Sequence, residues 1–438
     1  MPTAARPPAA FWLILVAYLL LALGYAVVTP TWQSPDEPAH FNYVRHVWET
    51  RSLPVLQPGD YPADLLEELK RLKWPADRPV DAIRYESHQP PLFYLFAAPI
   101  YGLAQALGAS LRGTVIAVRL VSVALGSVVL YVAWRVGRLS LPESSTVVLA
   151  AVGLVAFLPM HLAITAAVNN DSLAELTLLL LLWLCLARVV GYVPQRRFIV
   201  LGALLVATAL LTKTTIYVAA IALPAAAEGI AWWRRHRFGL TPALAVLAGI
   251  YLGALLLSGW WFVRNTAVYG SGDYFGWQRH DSIVVGELTS RDYLAQVGLA
   301  RGLREGLATV FQSFWGIFGW MGAPYPYEVY WVLYTLAALA AVGLILYAIG
   351  RWGWPRPQFW LLGLVIACAV AGVALYNLKF VQFQGRYLFS ALTPITLFAA
   401  LGLREVWARQ HERVLLALST GLVAALAAYG LVVIQRHL

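Results

Sequence analysis

The sequence predicts an all-α protein that crosses a membrane many times. Hydrophobic residues make up 60% of the 438 residues and charged residues only 12%, and the mean hydropathy is +0.67. Soluble domains carry about 25% charged residues, so this chain cannot bury its apolar surface in a water-soluble shape. Several apolar runs also reach the roughly 20 residues that a helix needs to cross a bilayer. We therefore expect one transmembrane domain over residues 1–438.

Short polar connections separate the apolar runs. The runs lie at about 10–29, 91–108, 113–134, 145–166, 172–190, 198–211, 216–233, 240–262, 330–349, 358–376, 388–403 and 414–434. The first run follows Arg6 and is longer than the apolar region of a signal peptide, so we expect it to be retained as a helix. About eleven runs, with a range of ten to twelve, are expected to span the bilayer as helices.

Basic residues indicate which connections face the cytoplasm, where membrane proteins retain lysine and arginine. The clusters are Arg135/Arg138, Arg188/Arg196/Arg197, Arg234/Arg235/Arg237, Arg351/Arg356 and Arg404/Arg409/Arg413, and Arg6 precedes the first run. Acidic residues concentrate in the alternate connections. The pattern predicts a multi-pass protein of the inner (plasma) membrane, with a cytoplasmic N-terminus and a site facing the outside or periplasm. It also accounts for the net charge of +10 without a nucleic-acid partner.

Two long connections are predicted on the outer side. The first, residues 30–111, includes the run 91–108, whose crossing would invert every later arginine cluster. Pro99 and Gln105 also favour an interfacial or re-entrant helix there. In the same loop, the leucines of residues 62–74 share one helical face, which suits a helix on the bilayer surface or one packed against another loop. The second outer loop, residues 263–329, is rich in aromatic residues and is expected to cover the site.

An acidic pair opens the first outer loop. Asp36 and Glu37 stand between Pro35 and Pro38, soon after the first apolar run. The prolines restrict the backbone on both sides, and a positioned carboxylate suits general-base work. The same residues also suit the first turn of a short helix, with an acidic cap. Because a carboxylate at a helix start can serve both purposes, Asp36 and Glu37 are the candidate catalytic residues.

Histidines accompany the acidic pair in the same loop. His40 lies close behind it, and His88 and Gln89 lie further along; all three are candidate substrate-binding residues. Asp36, Glu37 and His40 leave open a site for a divalent cation, Mg²⁺ or Mn²⁺, although their spacing matches no structural zinc pattern. Histidines in polar loops usually bind nothing, so no cofactor is certain from the sequence.

Further polar groups occur at the predicted outer ends of later spans. They are Asn170 and Asp171 in one turn, Lys213 in the next, Arg264 after a Trp-Trp-Phe run, and Arg386 with Tyr387 at the start of a late helix. Arginine pairs well with phosphate, and lysine supplies a point charge. Jointly, these cations predict a phosphate-binding site at the membrane surface, although each alone also suits a snorkelling anchor.

The segment PDEPAHF at residues 35–41 resembles the acidic motif that opens the first outer loop of the type-C (GT-C) membrane glycosyltransferases. This superfamily includes protein O-mannosyltransferases, aminoarabinose transferases and oligosaccharyltransferases. Further marks are HQPPLFY at 88–94, AVRL at 117–120, Asn-Asp at 170–171, LTK at 211–213 and QGRYL at 384–388. The PDEPAHF and QGRYL segments are most similar to those of a group of bacterial membrane proteins in this superfamily. The resemblance covers nearly the whole chain.

The resemblance implies a GT-C-like fold and a cell-envelope enzyme, a hexosyl or pentosyl transferase. Its donor would be a sugar on a polyprenyl phosphate with the lipid tail among membrane lipids, and its acceptor a lipid, a glycan or a protein. Asp36 would be the general base of a single inverting displacement. Glu37 would position the acceptor or help to bind a metal. Lys213, Arg264 or Arg386 would neutralise the leaving phosphate.

Two other classes of protein fit parts of the pattern. A lipid-linked sugar flippase or another membrane transporter would carry ionisable groups along the middle of its spans, whereas here most cluster at the outer ends. A non-catalytic scaffold of envelope assembly would tolerate replacement of Asp36.

Overall fold

The computed structural model describes residues 6–75, 77–234, 241–286, 288–350, 356–406 and 411–438. The α-helices are α1 (Ala9–Val28), α2 (Glu37–Thr50), α3 (Ala63–Arg71), α4 (Leu92–Ala106), α5 (Leu111–Ser140), α6 (Ser145–Phe157), α7 (Pro159–Thr165), α8 (Asp171–Val190), α9 (Gln195–Leu210), α10 (Tyr217–Arg234), α11 (Thr241–Tyr269), α12 (Trp277–Ile283), α13 (Ser290–Val297), α14 (Leu299–Gly316), α15 (Tyr327–Gly350), α16 (Pro357–Asn377), α17 (Leu392–Val406) and α18 (Glu412–His437). Short 3₁₀ helices cover Tyr85–His88, Thr214–Ile216 and Gly385–Ala391. Strands β1 (Ile317–Phe318) and β2 (Ala323–Pro324) form an antiparallel pair.

The helices confirm a polytopic membrane protein. Over the described ranges, nine helices are long and apolar enough to cross a membrane, and the bent pair α6–α7 makes a tenth. The remaining predicted span is α9, which has 16 residues and falls short of the usual spanning length. Helix α4 has 15 residues with Pro99 inside it, so it is also too short to cross, as expected.

The connections sort to two ends of the helices. At one end, Arg356 pairs with Glu143 at 2.9 Å, and Arg404 donates to the hydroxyl of Ser144 at 2.8 Å. At the other end, the Nζ of Lys73 in the first outer loop donates to the carbonyl oxygen of His437 at 2.8 Å. Which end faces the cytoplasm stays a prediction. The predicted cytoplasmic residues Arg235, Arg237, Arg351 and Arg409 lie outside the described residues.

The first outer loop has a hydrophobic cluster of its own. Leu66 and Leu69 of α3 are buried in it together with Trp74 and the apolar residues of α2 and α4. The apolar face of α3 therefore packs against protein, which is the second of the two alternatives for residues 62–74. The helix is also shorter than that range, since it ends at Arg71.

The second outer segment is largely helical rather than an open loop. Helix α11 extends to Tyr269, and α12, α13 and α14 follow within residues 263–329. Thr289 caps α13, because its hydroxyl accepts from the backbone N–H of Asp292. Sequence periodicity overlooks α12 and α13 because they have only 7 and 8 residues. Gly276 and Gly298, which adopt positive φ angles, precede α12 and α14.

Helices α15 and α17 approach each other at backbone distance. A Cβ added at Gly402 would lie 2.0 Å from the carbonyl oxygen of Ala340, and one at Gly343 would lie 1.8 Å from that of Gly402. Small residues at such crossings let membrane helices pack closely. Helix α17 follows directly on the 3₁₀ helix that contains Arg386, so the helix held by this contact continues from the segment of that arginine.

Candidate active site

Asp36 occupies the N-cap position of α2 without capping the helix. Its backbone is left-handed, with φ 65° and ψ −4°, a conformation that aspartate tolerates better than most residues. Its side chain makes no cap hydrogen bond. Asp36 therefore has the position of an acidic helix cap, as the sequence suggested, but makes none of the hydrogen bonds of a cap. The carboxylate instead lines a cavity, and the strained backbone turns it that way.

Two side chains hold the Asp36 carboxylate. Arg386 donates from Nη2 to Oδ2 at 2.6 Å, and the hydroxyl of Tyr85 donates to Oδ1 at 2.7 Å. Gln384 in turn accepts from the Nε of Arg386 at 2.6 Å. Burial raises the pKa of Asp36, but Arg386, His40 and the Tyr85 hydroxyl outweigh burial and lower this pKa to about 2. Asp36 is therefore a carboxylate at any physiological pH.

Glu37 lies apart from the cavity, in a buried ion pair. Its two carboxylate oxygens accept from the Nε and Nη2 of Arg119 at 2.7 and 2.6 Å. The same arginine also donates to the carbonyl oxygens of Ala26, Thr29 and Pro30. Arg119 thereby joins α5 to the end of α1 and to the start of α2. The pair fixes the backbone on which Asp36 stands, and the Glu37 carboxylate has no direct access to the cavities.

His40 and His88 of the first outer loop are buried. The Nδ1 of His40 lies 2.7 Å from the hydroxyl of Tyr94, and burial lowers the pKa of His40. The Nδ1 of His88 lies 3.1 Å from the carbonyl oxygen of Tyr85, and burial lowers the pKa of His88 to about 4. The rings of His88 and His280 lie with their centroids 4.6 Å apart.

The polar turns of the later spans meet the same region. The Nζ of Lys213 donates to Oδ1 of Asp171 at 2.7 Å. The Nδ2 of Asn170 donates to the carbonyl oxygen of Thr212 at 3.1 Å and contacts the side-chain oxygen of Gln89 at 3.4 Å. These bonds connect the start of α8, the turn after α9 and the first outer loop.

Arg264 is not brought to Asp36. Its Nη2 donates to the carbonyl oxygen of Pro54 at 2.5 Å, and its guanidinium lies over the rings of Trp261 and Tyr269. Arginines with planar donors suit both contacts. In this structure Arg264 ties the end of α11 to the first outer loop.

Two cavities meet at Arg386. The outer cavity offers about 210 Å³ to the centres of water molecules and is lined by Asp36, Tyr85, the rings of Tyr61, Trp320 and Tyr376, and the polar side chains of Lys70, Glu86, His280, Gln382 and Gln384. The inner cavity lies among α7, α8 and the 3₁₀ helix Gly385–Ala391. Arg386 and Tyr387 line both cavities, so they form the wall between them.

Sequence reasoning did not single out Tyr85, Glu86 or Arg119 as site residues. A tyrosine or a glutamate in a polar loop has no spacing signal of its own. The only signals were their places beside the HQPPLFY run and inside the AVRL segment. An arginine within a long apolar helix is nonetheless a functional or structural signal in itself, since its burial requires a partner.

The three residues considered for a divalent cation do not converge. Glu37 is occupied by Arg119, the Nδ1 of His40 faces Tyr94, and Asp36 is held by Arg386 and Tyr85. In the part of the chain that the structure describes, no group of three or more His, Cys, Asp or Glu side chains is arranged to hold a metal ion.

The fold is that of the type-C membrane glycosyltransferases. The crystal structure of ArnT from Cupriavidus metallidurans bound to undecaprenyl phosphate matches 96% of this chain and 64% of its own, with a TM-score of 0.56 and 14% identity. The oligosaccharyltransferase of Archaeoglobus fulgidus in complex with Zn and sulfate matches 96% of this chain and 52% of its own, with a TM-score of 0.53 and 15% identity.

The archaeal oligosaccharyltransferase AglB from Archaeoglobus fulgidus, in complex with an inhibitory peptide and a dolichol-phosphate, gives a similar result. It matches 98% of this chain and 56% of its own, with a TM-score of 0.52 and 12% identity. Identities this low show a shared fold alone. The chain spans less than two thirds of the ArnT chain and about half of the oligosaccharyltransferase chains. No protein-family model matches the sequence. No curated protein matches it significantly.

Proposed function

We propose that the protein is an integral membrane glycosyltransferase. It moves a hexosyl or pentosyl group from a polyprenyl-phosphate donor to a hydroxyl of a lipid, glycan or protein at the outer face of the membrane. The main support is the 2.6 Å contact between Asp36 and Arg386 in the wall of the outer cavity. A base for the acceptor hydroxyl and a cation for the leaving phosphate are the two charges that this transfer requires. The solved structures with bound undecaprenyl phosphate and dolichol-phosphate support the donor class by analogy.

The reaction is a single displacement with inversion. Asp36 takes the proton of the acceptor hydroxyl while the acceptor oxygen forms a bond to the anomeric carbon. The bond from that carbon to the phosphate oxygen breaks, and the phosphate keeps the electron pair. Negative charge therefore grows on the polyprenyl phosphate, where Arg386 in the cavity wall stabilises it. Lys70 also lines the outer cavity, whereas Lys213 is bonded to Asp171.

Donor binding activates the base in this scheme. Arg386 holds Asp36 in an ion pair, and a carboxylate whose pKa is about 2 is a weak base. A donor phosphate competes for the same guanidinium, because arginine binds phosphate oxygens as well as it binds carboxylates. When Arg386 moves to the phosphate, burial dominates the environment of Asp36 and raises its pKa. Asp36 therefore becomes a competent base only beside a bound donor.

The outer cavity suits a sugar. The rings of Tyr61, Trp320 and Tyr376 line it, and aromatic planes pack well against the apolar faces of sugar rings. Among the described residues, the Oε2 of Glu86 is buried without a hydrogen-bond partner. A buried carboxylate oxygen is costly to leave unpaired, so a sugar or acceptor hydroxyl that donates to Glu86 is favoured.

The test compares Asp36→Asn with Asp60→Asn in liposomes that contain a panel of radiolabelled polyprenyl-phosphate sugars. Asparagine tolerates the left-handed backbone of residue 36, so the substitution adds no backbone strain there. Asp60 is the matched control, since it is a buried acid of the same loop that pairs with Arg84 at 3.0 Å outside both cavities.

Transfer or release of label should fall by roughly 100-fold to 10,000-fold in Asp36→Asn and persist in Asp60→Asn. Donor binding should remain in both variants. Equal turnover in Asp36→Asn and wild type would remove Asp36 from the chemistry. Movement of intact donor across the bilayer without transfer would instead indicate a flippase.

A further inference from the structure

The bent span α6–α7 contains a histidine whose ring replaces a backbone hydrogen bond lost at the bend. The two helices meet at Leu158 with an angle of 60°. Pro159 has no N–H, so the carbonyl oxygen of Val155 loses its usual helical donor four residues later. The Nδ1 of His161 lies 2.9 Å from that oxygen. Because a carbonyl oxygen only accepts, Nδ1 must carry a proton.

The other ring nitrogen of His161 faces a carboxyl group. Its Nε2 lies 2.8 Å from the Oε2 of Glu175 on α8, and the two side chains are only 1% and 6% exposed. Two acceptors do not approach so closely without a proton between them. The pair is therefore either an imidazolium with a carboxylate or a neutral imidazole with a carboxylic acid. In both forms it holds one shared proton, has no net charge, and keeps Glu175 Oε1 as an acceptor.

Glu175 lines the inner cavity. The cavity offers about 30 Å³ to the centres of water molecules, which is room for about two of them. Ser172 also lines it, and among the described residues neither Glu175 Oε1 nor Ser172 Oγ has a hydrogen-bond partner. A cavity of this size with unpaired polar atoms is a site for ordered water.

Arg386 also lines the inner cavity. Its Nη2 and Nε are bonded to Asp36 and Gln384, and its side chain is only 8% exposed. Asp171 and Tyr387 also line the cavity, and Tyr18 of α1 lies near Glu175. Water between Glu175 Oε1 and the guanidinium would give Arg386 a second attachment, on the side away from Asp36.

We propose that His161 and Glu175 are positioning residues, which hold Arg386 through water in the inner cavity. The shared proton keeps the pair neutral within the membrane and leaves Glu175 Oε1 free to accept from that water. The second attachment keeps the guanidinium at the boundary of the two cavities when a phosphate replaces Asp36. The inference goes beyond the proposed transfer, since it concerns how Arg386 is held whether or not a sugar is moved.

The first experiment is a double-mutant cycle on the thermal unfolding of the full chain in nanodiscs. Glu175→Leu and Arg386→Met should each lower Tm, and the double variant should lose less than the sum of the two single losses. Glu228→Leu is the matched control, because Glu228 is also a buried acid of a span, paired with Arg188 at 3.0 Å on helices α8 and α10. Its Tm shift should add to that of Arg386→Met. Additive shifts for Glu175 and Arg386 would overturn the proposal.

The second experiment measures binding of farnesyl phosphate, with farnesol as the ligand lacking phosphate. Glu175→Leu should raise the Kd for farnesyl phosphate about tenfold, while Glu228→Leu should leave it near the wild-type value. Glu175→Gln should restore affinity to within about twofold, because its amide N–H donates to Nε2 of His161 and its oxygen still faces the cavity. A loss in Glu175→Gln equal to that in Glu175→Leu would contradict a role through the water acceptor.

The two experiments separate the two proposals. Equal binding of farnesyl phosphate and farnesol by the wild-type chain would count against the donor class. The stability cycle would then still decide whether Glu175 acts on Arg386.

Discussion

Asp36 differs from an ordinary loop carboxylate because its partners oppose the effect of burial. Burial alone raises a carboxyl pKa, whereas Arg386 lowers that of Asp36 to about 2. A lowered pKa stabilises the folded state at every pH above the ordinary value near 3.8, and this contribution disappears as the pH falls from about 4 towards 2. The ion pair therefore stabilises the site throughout the physiological range.

Replacement of Arg386 should reverse the balance at Asp36. In Arg386→Gln we expect the pKa of Asp36 to rise, because burial is then opposed only by His40 and the Tyr85 hydroxyl. The measurement is the pH at which a protonated carboxyl band appears in infrared spectra of Arg386→Gln, after subtraction of Arg386→Gln/Asp36→Asn. Arg84→Gln, which removes a cation of the same loop, should leave the band where the wild type has it. An unchanged titration in Arg386→Gln would show that Arg386 does not control Asp36.

Arg119 supports the site from within the helices. In Arg119→Met we expect the free energy of unfolding to fall by roughly 3–5 kcal/mol, because Glu37 remains buried without its partner. Arg356→Met removes a partly exposed pair with Glu143 and should cost about 0–1 kcal/mol. Both values come from denaturant titration in the same detergent. Recovery of part of the lost free energy of unfolding in Glu37→Gln/Arg119→Met would support the pairing of Glu37 with Arg119. Equal losses in Arg119→Met and Arg356→Met would contradict it.

At the scale of elements, the contact between α15 and α17 connects packing to the site. Gly402→Ala should lower Tm by several degrees, since the new Cβ lies 2.0 Å from the carbonyl oxygen of Ala340 and the helices must separate. Gly372→Ala on α16 is the control, because its Cβ meets nothing within 4 Å. Alanine also favours a helix over glycine, so this control should be neutral or slightly stabilising. Matching Tm values for the two variants would show that α15 and α17 tolerate separation.

The same scale shows the limits of periodicity. Apolar runs located the spanning helices because a run of about twenty apolar residues lies in lipid, where only a helix pairs all of its own backbone hydrogen-bonding groups. The amphipathic pattern of α3 was also visible, but the pattern has no information on whether its leucines meet lipid or protein. Buried Leu66 and Leu69 meet protein. The bend at Leu158 was not anticipated either, although Pro159 inside an apolar run is a signal for one.

For the whole molecule, arginine clusters predicted which connections share an end, and the contacts of Glu143 with Arg356 agree. The candidate site was predicted less completely. Asp36, Arg386, Asp171 and Lys213 were identified, but their pairing could not be, because charge pattern assigns a side of the membrane and not a neighbour. Glu37 and Arg264 are also an acid and an arginine on the predicted outer side. They contact Arg119 and Pro54 instead of each other or the Asp36–Arg386 pair.

The orientation of the whole chain is testable with cysteines. In a Cys185→Ala/Cys368→Ser background, Glu67→Cys lies in the first outer loop and Glu143→Cys at the opposite end, and their native side chains are 71% and 63% exposed. On intact cells, a membrane-impermeant maleimide should label residue 67, and residue 143 should react only after permeabilisation. Arginine retention in the cytoplasm predicts this order. The reverse order would place the cavities on the cytoplasmic side.

The bond between Asp36 and Arg386 also has a consequence for biosynthesis. It joins residues 350 positions apart, so at about 5–20 residues per second the ribosome needs roughly 20–70 s to add the second partner after the first. During that interval Asp36 is outside the first span without its arginine. A nascent chain that stops before residue 386 therefore cannot form the pair.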